Sequence, residues 1–112
     1  MDVNIDHVKK RFGDLVEKGH KVADNVWEFW VESCPVNPIK VKVERTSPGG
    51  DPRGSYTGVA NYGIQNPSQF GPYRSIYPRP TAQDAVEEAL GGFLMYYDPK
   101  QARQIKYELM DF

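Results

Sequence analysis

The chain has 112 residues, 39% hydrophobic, 26% charged and 12% aromatic, which suits one globular domain with a modest core and excludes wholesale disorder. A net charge of −1 gives no global pull toward nucleic acid or an anionic membrane. No stretch approaches the roughly 20 apolar residues of a membrane span, residues 1–10 are too polar for a secretory signal, and the only cysteine, Cys34, cannot form an intrachain disulfide, so the expected location is the cytoplasm.

From residue 4 to 18, Ile5, Val8, Phe12, Leu15 and Val16 recur at three- and four-residue steps and predict a helix. Asn4 or Asp6 would cap its start and Gly19 would end it. Residues 26–33 alternate, with Trp27, Phe29 and Val31 on one face and Glu28, Trp30 and Glu32 on the other, and predict a strand. A second strand over 39–46 puts Ile39, Val41 and Val43 inward and Lys40, Lys42 and Glu44 outward, with Pro35, Asn37 and Pro38 marking the connection of a hairpin. In matched register Glu28 and Glu32 would face Lys40 and Lys42, each pair contributing roughly 0.2 to 1 kcal/mol.

The glycines and prolines of 47–54 predict irregular structure, and 56–65 predicts a third strand in which Gly58 and Gly63 signal a bulge, an edge or a close approach to the backbone. Four prolines among Phe70, Tyr73 and Tyr77 make 66–80 an ordered loop or one short edge strand. An apolar stripe from Ala82 to Tyr97 predicts the principal helix, with Thr81 and Asp84 as a capping-box-like start. Asp98-Pro99 opens a terminal segment in which Ala102, Ile105 and Leu109 favour a helix over the strand that Ile105, Tyr107 and Leu109 would suit.

The expected architecture is a single α+β domain over 1–112: a short antiparallel sheet of about three strands, packed by an N-terminal helix and one or two C-terminal helices in the order α-β-β-β-α-α, with irregular regions at 47–55 and 66–80. This order resembles small nucleic-acid-binding αβββα domains, including the double-stranded-RNA-binding kind. Their phosphate grip at the start of the second helix is absent here, because 81–88 carries Asp84, Glu87 and Glu88 and no Lys or Arg, so no family is assigned.

No catalytic motif emerges. His7 and His20 share no metal-ligand spacing with Cys34, and neither a metal nor a cofactor is expected. The run GGDPRGS from Gly49 to Ser55 lacks the Lys and the following helix of a phosphate loop and reads as a turn, while Glu87 and Glu88 diverge by about 100° around a helix and read as a solvated face.

Charge by region is more telling. Residues 36–80 hold six bases, Lys40, Lys42, Arg45, Arg53, Arg74 and Arg79, against Glu44 and Asp51, whereas 81–112 hold six acids against three bases. Phe70, Tyr73 and Tyr77 interleave with Arg74 and Arg79, a mixture that either packs the loop against the domain or, with Arg53, forms the candidate recognition surface within 53–79, and Trp30, on the polar face of its strand, needs cover from this chain or from an interface.

The leading expectation is a small non-enzymatic binding or adaptor module whose partner is another protein or a second copy of the chain. A nucleic-acid binder using the same Arg and Tyr residues is the alternative, followed by an enzyme whose site assembles from distant residues such as Cys34 and a histidine.

Overall fold

Asn4 Oδ1 accepts a hydrogen bond from the His7 N–H at 3.0 Å and opens helix α1 (Ile5–Phe12) in the computed structural model of the chain, which describes residues 1–45 and 54–112. The helix is shorter than its apolar stripe. Gly13, at φ 61°, closes it with an N–H bond to the Lys9 carbonyl, and a 3-10 turn (Gly13–Leu15) delivers the chain into strand β1 (Val16–Ala23).

The expected helix to residue 18 is therefore corrected: Val16 is buried as the first residue of a strand, not as the last of a helical stripe. Gly19, expected as a helix stop, lies in β1 opposite Phe29. A Cβ there would come within 2.5 Å of a Phe29 ring carbon, so the aromatic ring occupies the space that a side chain would take.

Strands β2 (Val26–Val31) and β3 (Ile39–Arg45) form the expected hairpin, burying Trp27, Phe29 and Val31 and then Ile39, Val41 and Val43. Asn37 fixes its closed end: its Oδ1 accepts from the Val31 N–H at 2.9 Å and its Nδ2 donates to the Val31 carbonyl at 2.8 Å. In the resulting register Glu28 faces Lys40 as expected, whereas Lys42 faces Val26 and Glu32 falls in the connection, outside β2.

The third expected strand divides in two, β4 (Tyr56–Ala60) and β5 (Tyr62–Gln65), at Asn61. The Asn61 N–H donates to the Lys40 carbonyl and its Oδ1 accepts from the Lys40 N–H, both at 2.9 Å, so β4 ends there on β3. The Asn61 carbonyl accepts from the Met110 N–H at 2.9 Å, and the chain passes into a separate ribbon. There β5 pairs antiparallel with β7 (Lys106–Leu109). A short β6 (Pro78–Arg79) pairs with β4 and completes a main sheet in the order β1-β2-β3-β4-β6.

Helix α2 (Ala82–Met95) starts where the sequence predicts, with Thr81 Oγ1 accepting from the Asp84 N–H at 3.0 Å. Thr81→Ala is expected to cost about 1 kcal/mol, read as a lower urea midpoint with an unchanged slope. The terminal helix expected after Asp98 is a correction: the Asp98 side chain caps only a 3-10 segment (Pro99–Gln104), and the alternation of Ile105, Tyr107 and Leu109 prevails as β7. The fold is thus α+β with a small antiparallel sheet and helices, but the sheet has five strands rather than three and a two-stranded ribbon is added.

Both helices lie on the inner face of the sheet. Ala85, Val86, Ala89, Leu90 and Phe93 of α2 meet the inward residues of β2, β3 and β4 in one hydrophobic cluster, to which α1 adds Val8. Gly58 permits the closest contact, since a Cβ there would collide with the Ala85 carbonyl of α2. Among the described residues no helix is long and apolar enough to cross a membrane.

Candidate functional site

Residues 66–73 form a loop built on amide side chains. The Asn66 N–H donates to Gln69 Oε1 at 2.6 Å, the Gln69 N–H donates to the Asn66 carbonyl at 3.1 Å, and Gln69 Nε2 donates to the Ile64 carbonyl at 3.2 Å. Gln65 Nε2 donates to the Gln69 carbonyl at 3.1 Å, and Ser68 turns both its N–H and its hydroxyl to Asn66 Oδ1. The returning limb is tied by two main-chain bonds between Ile64 and Tyr73, at 2.9 and 2.8 Å, and the Tyr73 ring packs 5.0 Å from that of Tyr96 at the end of α2. Between these ties Phe70 stands fully exposed, and Ile76 and Tyr77 further along are also open to solvent.

Arg74 and Arg79, singled out in the sequence, are held by different partners. Arg74 Nη1 donates to the Asp111 carbonyl at 2.8 Å, and Arg79 Nη2 meets Glu88 Oε2 at 2.7 Å while the Ser75 hydroxyl holds the other oxygen of Glu88 at 3.2 Å. Tyr73 is half-buried in the loop's base and Tyr77 is half-exposed. Arg53, with most of the GGDPRGS run, lies outside the described residues. Trp30 is half-buried, with side chains of the neighbouring strand over part of its ring: Lys18 Nζ lies 4.4 Å from its ring centroid and the His20 ring 5.2 Å away. His20 also approaches Glu28 at 3.8 Å.

Glu87 is the residue that sequence reasoning placed wrongly. Expected on a solvated face, it is 1% exposed and lies between α1 and α2. His7 Nδ1 meets its Oε2 at 2.7 Å, Arg11 Nη1 donates to its Oε1 at 3.0 Å, and Gln83 Nε2 donates to Oε2 at 2.5 Å. Asn4 meets Gln83 and Phe12 meets Gly91, so the contacts advance along both helices in the same sense and Glu87 sits midway on a polar seam. Burial alone would raise its carboxyl; the bonds from Gln83, Arg11 and His7 outweigh it and hold the group below the ordinary carboxylate range. The only signal in the sequence was the i, i+4 spacing of His7 and Arg11, which puts two donors on one helical face.

Cys34 is buried, and its thiol is pushed up by that burial, partly opposed by a main-chain hydrogen bond from Val36. The Tyr97 hydroxyl, donating to the Glu32 carbonyl, is pushed up to about 12, chiefly by burial and then by the charges of Cys34, Glu32, Asp98 and Glu17. A raised thiol is the reverse of what a nucleophile needs. Among the described residues no three His, Cys, Asp or Glu side chains cluster as metal ligands.

No protein-family model, no curated protein and no solved structure matches this chain.

Proposed function

We propose that the protein is a non-enzymatic binding module that engages another protein through the 66–80 loop, with Phe70 as its central contact. The observation carrying this reading is the contrast between an internally bonded loop and the fully exposed aromatic ring that it presents. Aromatic side chains dominate binding energy at protein interfaces, and a loop ordered before binding loses less entropy on association. Ile76 and Tyr77 extend the apolar contact. A reducing, cytoplasmic setting suits the single buried cysteine.

The nucleic-acid reading ranks second because Arg74 and Arg79 are already bonded within the chain, which leaves less of their charge for phosphates. The test is a photo-crosslinking amino acid placed at position 70, with exposed Lys9 on α1 as the control position, in the protein's native cells. A discrete protein adduct from position 70 that is absent from position 9 is expected. Identical patterns from the two sites, or none, would overturn the proposal.

A further inference from the structure

Among the surface grooves that border the described residues, four differ in the kind of charge that lines them. One mixes Arg11 and Arg79 with Asp84 and Glu88, and a second mixes Lys9 and Lys10 with Asp6, Asp14 and Glu17. The remaining two, of about 460 and 270 Å³, are lined by bases and amides with no acid at all. They share Gln104 and flank the 3-10 segment Pro99–Gln104: Lys100 and Arg103 line the larger, and Lys106 lines the smaller with Gln65, Asn66 and Gln69. None of the three bases takes part in an ion pair among the described residues, and, unlike Lys9 and Lys10, which are equally unpaired, they share their grooves with no acid.

The sequence contains the reason. The run PKQARQIK over 99–106 holds every base of 81–112 and no acid, a local excess hidden when charge is summed over the acidic C-terminal third. The fold sets this run beside the Phe70 loop, because Gln69 lines the same groove as Lys106 and Phe70 follows it in the chain.

We infer that this end of the molecule, Lys100, Arg103 and Lys106 together with the Phe70 loop, docks an acidic segment of a partner protein. The inference rests on the protein-binding reading above and adds the partner's chemistry. Three unpaired cations attract carboxylates and speed their encounter, and the amide-rich walls suit a peptide main chain. Neither groove is itself lined by an aromatic residue, and Phe70 beside them offers one ring rather than the row on which successive bases of a single strand stack.

Three fluorescent probes test this: a ten-residue peptide of glutamate, aspartate and phenylalanine, the same peptide with glutamine and asparagine replacing the acids, and a ten-nucleotide oligothymidine. Each is titrated into wild-type protein and into the triple variant Lys100→Ala, Arg103→Ala, Lys106→Ala at low and high salt, with amide NMR shifts to locate binding. The expected result is preferential binding of the acidic peptide, shifts confined to residues 65–70 and 99–106, and about a tenfold loss of affinity in the triple variant. Stronger binding of oligothymidine, equal binding of the neutral peptide, or an acidic-peptide affinity untouched by the triple variant would overturn the inference. A position-70 adduct formed in cells alongside any of those results would retain the protein-binding reading and reject only the acidic partner.

Discussion

Replacing Glu87 by alanine is expected to cost about 3 kcal/mol, because a guanidinium, an imidazole and an amide would lose the carboxylate on which they converge. The figure stands at the lower end for a broken buried pair, since the His7 and Arg11 side chains are 60% and 53% exposed and water can take up part of what they lose. Helix α1 should loosen first, as Val8 is its only fully buried side chain. Faster amide exchange over 5–12, with the exchange of β2 and β3 little changed, is the local signature.

The same residue sets a pH response. Its folded carboxyl lies below the ordinary value of 4.5, so the stabilisation is present above that value and is lost as the pH falls through the lowered folded value. Urea unfolding of wild type and Glu87→Gln from pH 7 down to about pH 3 should show a gap that narrows in this acid window. A gap independent of pH would mean that packing, rather than the charge, holds the helices together.

Gly58→Ala is expected to destabilise by about 2 to 3 kcal/mol through the opposite fault, too much matter rather than too little. The added methyl group would strike the main-chain carbonyl of Ala85, and a main chain inside a helix cannot rotate away as a side-chain tip can. Helix α2 would have to rise off β4 as a body. Gly71→Ala is the matched control, since nothing lies within 4 Å of a Cβ at that position, and a change within about 0.5 kcal/mol is expected. Thermal midpoints of the two variants measured side by side check the contrast.

The elements that could be read from the sequence are those whose own side chains carry the period of the structure. Trp27, Phe29 and Val31, Ile39, Val41 and Val43, and the stripe of α2 each alternate or recur because one face of the element is buried. Strand β1 has no such signature, since only Val16 of its eight residues is buried and the strand exists because β2 offers it a ladder. Its first three residues carry on the apolar stripe of the helix before it, and the polar run after Gly19 has no period of its own. Segment 99–109 carried two periods at once: Asp98-Pro99 did start a turn of helix, and the return pairing with β5 then claimed Lys106–Leu109 as a strand.

The polar features were harder to read for a related reason. Glu87 takes its meaning from His7 and Arg11, some 80 residues earlier in the chain, and no window along α2 contains them. Arg74 and Arg79 stood out through their aromatic neighbours, yet the bonds that engage them, to Asp111 and Glu88, depend on the return of the C-terminal strand and on the packing of β6 beside α2. Phe70 was noticed only as one aromatic group among three, and exposure is what separates it from Tyr73.

The passage of the chain through Asn61 into a second ribbon also bears on how the molecule assembles in time. Strands β1 to β4 meet neighbours close by in sequence, but Ile64 must wait for Tyr107, roughly 40 residues later, with the whole of α2 made in between. The β5–β7 pairing therefore closes the longest loop of any strand pairing among the described residues, and it is expected on the late side of the folding barrier, where mutations quicken unfolding while refolding keeps its pace.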